Sequence, residues 1–194
     1  MSAENPYAAP QANLVQPVIR QPSFFVVAPR KLLLMVLLSQ GFYLVYWNYK
    51  HWANYRQQTG ERIWPWARGV FALFFYYSLA NRTRQKLQVM DASYDWWPRC
   101  LALALVMSAL LPQVCNWFLE PLMALKINVC FLIVTAALVV QIQRAINHLE
   151  HDVEGDANRR ISWANGLWMV LGMSLFGLTL ALALQSPEWY RAGM

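Results

Sequence analysis

The chain has 194 residues, of which 58% are hydrophobic and 13% charged, and its mean hydropathy is positive. That balance excludes an ordinary soluble domain, in which about a quarter of the residues are charged, because the excess apolar surface needs a lipid solvent. The net charge of +6 fits the Lys and Arg that gather at the cytoplasmic flanks of membrane helices, and with no nucleic-acid module beside it no nucleic-acid partner is expected.

Residues 1–29 carry Pro6, Pro10, Pro17, Pro22 and Pro29 among Ala, Gln and Asn, a composition that breaks helices and predicts a flexible Pro-rich tail. Five hydrophobic blocks follow, from Lys31 to Tyr49, Trp64 to Leu79, Cys100 to Phe118, Ile127 to Ile142 and Trp163 to Leu184. A spanning helix needs ~20 apolar residues. The third and fifth blocks meet that length, the second is short and contains Arg68, and the first is interrupted by Ser39, Gln40 and Gly41. The prediction is an all-α, polytopic helical membrane bundle over residues 30–187 with about five hydrophobic helices, closed by a short tail over 188–194. The alternative has four, with the first two blocks forming a shallow hairpin. With five crossings and the amino terminus inside, ten basic residues fall in cytoplasmic segments and five outside, which favours a cytoplasmic amino terminus. The loop from Lys50 to Arg62 is basic yet assigned outside; the hairpin alternative returns it to the cytoplasm and leaves only Lys126 and Arg191 outside.

Two groups of residues are candidates for recognition. Arg62 and Arg68 flank the helix start at Trp64, Pro65 and Trp66. Cations there oppose the positive end of the helix dipole, and a lipid phosphate would relieve them, so Arg62, Arg68, Trp64 and Trp66 are expected to contact lipid or an anion. Arg144, Asn147, His148 and His151 recur at helical spacing after the fourth block and are expected to form one polar helix face. Two histidines without a third fixed ligand do not specify a metal, and the three cysteines form no CxxC pair, so neither metal nor cofactor is expected.

The blocks contain no Asp or Glu, which disfavours a proton-coupled carrier or an intramembrane aspartyl protease; no enzymatic activity is expected. Ala104 with Ser108, and Gly177 with Ala181, are spaced four apart and predict close helix packing. The run from Arg62 to Gly69 echoes that from Arg160 to Gly166, each after a glycine, Gly60 or Gly155; with five crossings the two units would be inverted relative to each other.

The run Tyr46-Trp47-Asn48-Tyr49-Lys50-His51-Trp52, with Gly60, Ile63-Trp64-Pro65, Arg68 and Phe74-Phe75-Tyr76, resembles an uncharacterised family of small bacterial inner-membrane proteins, sometimes labelled permease-like. Gln143-Arg144-Ala145-Ile146-Asn147, Asn158 and Ile161-Ser162-Trp163 resemble its second half, although the chain reads Trp163-Ala164-Asn165 where the family has a Trp-Asn-Trp-like triplet. The resemblance implies a multi-pass protein of a bacterial inner membrane and no established activity. The expected function is that of a non-catalytic scaffold or accessory subunit whose partners are membrane lipids, another membrane protein or a second copy of itself. A small oligomeric transporter or channel is the alternative.

Overall fold

The computed structural model describes residues 22–90 and 94–185; the expected tail over 188–194, like residues 1–21, lies outside them. The described residues form seven α-helices: α1 (Pro29–Leu38), α2 (Tyr43–Thr59), α3 (Pro65–Val70), α4 (Ala72–Val89), α5 (Pro98–Cys115), α6 (Pro121–Leu149) and α7 (Trp163–Gln185). Four of them, α1, α3, α5 and α6, begin with proline, which has no N–H to leave bare in the first turn and whose ring presets the helical φ.

Among the described residues only α5, α6 and α7 are long and apolar enough to cross a membrane, and little of their apolar windows is buried inside the protein, 28%, 17% and 11% respectively. The outward side chains are large and oily, among them Leu103, Val114, Ile133, Val170 and Leu178. Such surfaces are stable in hydrocarbon and not in water.

The five crossings expected from the five blocks are therefore not found, because each of the first two blocks folds back on itself. In the first, α1 stops at Ser39, and Gln40 (φ 52°) and Gly41 (φ 83°) turn the chain through left-handed conformations. Gly41 then lies against Leu132 of α6, Trp47 Nε1 donates to Gln143 (2.7 Å), and Tyr55 stacks on Phe24, whose N–H reaches Glu150. Successive positions of α2 thus meet successive positions of α6, so α2 runs parallel to α6. Helix α1 runs the other way, parallel to α7, with Lys31 near the start of α7 and Ser39 against Gly172. The pair is a hairpin that reverses at residues 39–42. Ten residues of α1 descend ~15 Å, about half the ~30 Å hydrocarbon thickness, and the tip meets α6 midway along its apolar part.

The second block repeats the device at shallower depth. Gly69 of α3 faces Val45 and Tyr49 so closely that a Cβ there would stand 3.1–3.3 Å from Val45 O and from Cα and Cβ of Tyr49. The chain then bends at Phe71, and α4 climbs along α2 through Asn48–Tyr76, Tyr55–Arg82 and Gln58–Lys86 contacts. Val70, Phe71 and Phe74 project outward at the bend. The two echoing units, α2–Gly60–α3 and α6–Gly155–α7, share a left-handed glycine (φ 69° in both) and an antiparallel second helix. They run in the same direction, so the inverted relation expected from the sequence does not hold.

Residues 22–28, expected as part of a flexible tail, are an extended strap laid into the bundle. Phe24 and Val27 are fully buried, worth ~1.5–3 kcal/mol each against exposure. The prolines keep the strap from being helical, and its Phe and Val side chains give it apolar surface to bury. Gly155 makes room for it: a Cβ there would stand 2.5 Å from Ala28 N.

The small residue that matters on α7 is Gly172, where a Cβ would lie 2.3–2.6 Å from the backbone of Ser39 and Leu38. Gly177, predicted from its spacing, has nothing within 4 Å of that position. Gly172→Val is expected to destabilise the protein by ~1–3 kcal/mol or more, read as a lower thermal midpoint in detergent, whereas Gly177→Ala is expected to leave the midpoint unchanged or slightly raised.

Candidate functional site

The ends of α2, α4 and α6, the start of α5 and α7, and the strap all meet at one end of the molecule. The sequence candidates lie there or close to it, and the structure sorts them into two clusters.

The first cluster surrounds Arg68. It does not gather Arg62, Trp64, Trp66 and Arg68 around one anion. Arg62 is exposed, Trp64 is 72% exposed, and Trp66 lies on Tyr49 with ring centroids 4.4 Å apart. Arg68 turns inward instead, its guanidinium 4.2 Å from the Trp52 ring centre and 5.0 Å from that of Phe75. Cation–π contact with two aromatic faces partly replaces the counter-ion that the sequence leaves out. Beside it Arg82 Nη1 donates to both Glu61 oxygens at 2.8 Å and lies over Tyr55. The Arg82 guanidinium holds the Glu61 carboxyl below its ordinary value, burial opposing it and the Tyr55 hydroxyl helping. Asn48 Oδ1, Trp52 Nε1 and Arg68 Nη1 are buried without a hydrogen bond on the facing sides of α2 and α3.

The second cluster surrounds the strap, and here the expected face of Arg144, Asn147, His148 and His151 divides. Asn147 is fully buried, and its Nδ2 donates to Val27 O (3.0 Å). Gln143 Nε2 donates to Phe25 O (3.0 Å) and Asn147 Oδ1 (2.7 Å). Asn158 Nδ2 donates to Val26 O, and Lys31 Nζ donates to Asn158 Oδ1 and Arg160 O at 2.7 Å each. His148 is half-buried against Tyr94 with ring centroids 5.1 Å apart; Arg144 and His151 point outward. Among the described residues no three His, Cys, Asp or Glu side chains converge as metal ligands.

Two residues of this cluster, His51 and Glu150, hold the strap, a role that the sequence did not assign to them. Nδ1 of His51 accepts from Phe25 N–H (3.2 Å), so the neutral ring carries its proton on Nε2. Burial pushes the imidazole down to about 3, and the nearby Gln143 amide only partly opposes this, its carbonyl being engaged by Trp47. The Glu150 carboxylate accepts from Phe24 N–H (2.9 Å). Burial pushes that carboxyl up, and the Phe24 and Ser23 N–H groups, Lys86 and His151 pull it back. Side chains from α2, α6 or the loop after α6 thus meet the N–H groups of Ser23, Phe24 and Phe25 and the carbonyls of Phe25, Val26 and Val27. Of the expected polar face, Asn147 holds the chain's own segment, while Arg144 and His151 are exposed.

No protein-family model, curated protein or solved structure matches the chain.

Two measurements check this arrangement. Asn147→Ala leaves the Val27 carbonyl buried and unmet, at a cost of ~1–3 kcal/mol, and is expected to raise amide exchange across residues 24–28 more than across α5. For His51 the unfolded ring binds a proton below pH ~6.5 while the folded ring stays neutral. Stability is therefore full above that pH and falls by up to ~1.4 kcal/mol per pH unit as pH drops toward the folded value. Glu150 acts with the opposite sign, its contribution falling as pH rises through its raised value. The difference between the pH profiles of wild type and His51→Gln isolates the imidazole, and the variant is expected to have the shallower acid limb.

Proposed function

We propose that the chain is a non-catalytic integral membrane protein that crosses the bilayer three times, keeps its basic end in the cytoplasm and acts by packing against lipids or another membrane protein. The observation that carries this reading is the segregation of charge. Of the sixteen Lys and Arg, Arg20 and Arg191 lie outside the described residues. Thirteen of the other fourteen sit on the half of the molecule that holds the strap and the ends of α2, α4 and α6; Lys126 alone is on the other half. Cytoplasmic loops and the anionic lipids beside them favour such a bias. The re-entrant hairpins remove the difficulty with the loop from Lys50 to Arg62, which comes back to the basic side. A bacterial inner membrane is the setting that the family resemblance implies.

The alternative of a small transporter has less support. Any path through the chain would have to pass the hairpin tip, where Ser39 is fully buried, and of the titratable groups at the basic end His51 and Glu150 hold the strap and Glu61 and Arg82 join the end of α2 to α4.

Single-cysteine variants test the arrangement, with Cys100, Cys115 and Cys130 replaced by Ser. In intact cells stripped of their outer envelope, a membrane-impermeant maleimide is expected to label Glu120→Cys, and to label Thr59→Cys, Gln88→Cys and Asp156→Cys only after lysis. Labelling of Thr59→Cys from outside overturns this reading: with Gln88→Cys and Asp156→Cys still protected it restores the five-crossing arrangement, and with both labelled it inverts the orientation.

A further inference from the structure

Around the start of α5 lie two adjoining cavities, of about 400 and 510 Å³, which share Tyr94, Trp96, Trp97 and Cys100. Arg84 of α4 and Arg99 of α5 line the first, and Arg144 of α6 lines the second. We propose that together they bind the headgroup of one anionic phospholipid, its phosphate among these arginines and the start of an acyl chain against Leu101 and Ala104. The inference rests on the membrane reading above and names the lipid class, though it does not depend on which side is cytoplasmic.

Charge is the first argument. Lys31, Arg68, Arg82 and Lys86 are each held by groups of the protein itself. The ion pairs among the described residues are Arg82–Glu61 and Arg159–Asp156, and Arg84, Arg99 and Arg144 have no hydrogen-bond or ion-pair partner among those residues. Asp95 is the one carboxylate on the lining of either cavity among the described residues, and it is exposed. Three guanidinium groups face one carboxylate, an excess that a phosphate relieves through the charge-assisted bonds of the planar Arg fork. A zwitterionic headgroup brings its own cation into the same space and loses that advantage.

The order of residues along the membrane normal is the second argument, and it separates a lipid from a soluble anion. Helix α5 is one of the three long apolar helices, so its first turn marks the level at which hydrocarbon gives way to headgroups. Arg99 stands at that level. Leu101 and Ala104 follow on the wall of the second cavity, with Ala104 ~9 Å below Pro98. On α6, Gln141 lies one turn deeper than Arg144 and can donate to an ester carbonyl. Cations, amide and apolar wall thus occur in the order that phosphate, ester and acyl chain take in a leaflet, whereas a free phosphate or an acidic peptide has no use for the apolar end. The wall between the cavities is packed in place: Tyr94 lies against His148 with ring centroids 5.1 Å apart and meets Trp96 edge-on at 6.4 Å. Trp97, 72% exposed at the rim, suits the interface, where aromatic rings concentrate. Basic pockets between membrane helices are a recurrent form of anionic-lipid site.

The test uses full-length protein in detergent, freed of lipid by long exchange and then offered palmitoyl-oleoyl phosphatidylglycerol or phosphatidylethanolamine at equal concentration, with bound lipid counted by native mass spectrometry. Wild type is expected to retain one phosphatidylglycerol per chain at concentrations where it retains little phosphatidylethanolamine. Arg84→Gln, Arg99→Gln and Arg144→Gln are each expected to lower that retention about fivefold at unchanged helix content. Arg56→Gln removes the same charge from an exposed position outside both cavities and is expected to leave retention unchanged, as is a large excess of glycerol phosphate or poly-glutamate. Equal retention of the two lipids, unchanged retention in the three cavity variants, an equal loss in Arg56→Gln, or displacement by either soluble competitor would each overturn the proposal, the last by making the cavities a site for soluble anions. The comparison of lipids on wild type needs no variant, so it decides the matter even where a variant misfolds. A chain that stays folded and monomeric without detergent overturns the membrane reading itself, whereas a detergent-dependent chain without the lipid preference overturns only this site.

Discussion

Reversing a polypeptide at hydrocarbon depth is tolerated only when no backbone amide is left without a partner, because each bare group there costs several kcal/mol and no water is at hand. The turn between α1 and α2 meets that condition. The N–H groups of Ser39, Gln40, Gly41 and Phe42 donate to the carbonyls of Met35, Leu37, Val36 and Ser39. The N–H of Tyr43 goes to Ser39 Oγ (3.0 Å), and those of Leu44 and Val45 return to Gly41 and Phe42. The left-handed glycine and the serine hydroxyl allow a reversal that bulkier residues would leave unsatisfied.

The division of the molecule follows from that turn. With the chain sent back, α1 to α4 and the strap all crowd into one half, where the aromatic residues of α2 form the centre of the core: Tyr43, Trp47, Trp52 and Tyr55 are buried there with His51. The crowding explains why that half needs so many buried amides. The strap enters without secondary structure, so its N–H and C=O groups require side-chain partners, and Gln143, Asn147, Glu150, Asn158 and His51 supply them. The burial of Asn147 and Gln143 on α6 is thereby accounted for by the protein's own backbone.

The opposite half shows the converse. There α5 packs on α6, a groove opens between α5, α6 and α7, and their outward faces are almost entirely apolar. The asymmetry is one of solvent as well as of packing: one half is a protein core with paired polar groups, the other is a surface whose complement is hydrocarbon. Arg68 and Arg82 lie against the aromatic rings of Trp52, Tyr55 and Phe75 on the crowded half, and Arg82 pairs with the partly exposed Glu61 carboxylate.

How much was legible in the sequence depends on the range of the interaction. The density of apolar residues determines the all-helical membrane class and the three long helices, because hydrophobic length is a property of contiguous residues. The interruption at Ser39, Gln40 and Gly41 is equally visible, as is the proline that opens four of the helices. What the sequence could not decide is whether the chain passes through that interruption or reverses there, since block length is the same either way. Nor could it distinguish the close-packed Gly172 from the unpacked Gly177, or separate Asn147, which holds the strap, from Arg144 on the next turn. Those outcomes depend on which segment lies across the gap, a matter settled by pairing residues more than a hundred positions apart, such as Phe24 with Glu150. Composition fixes the solvent; only the tertiary contacts fix the direction in which each helix runs.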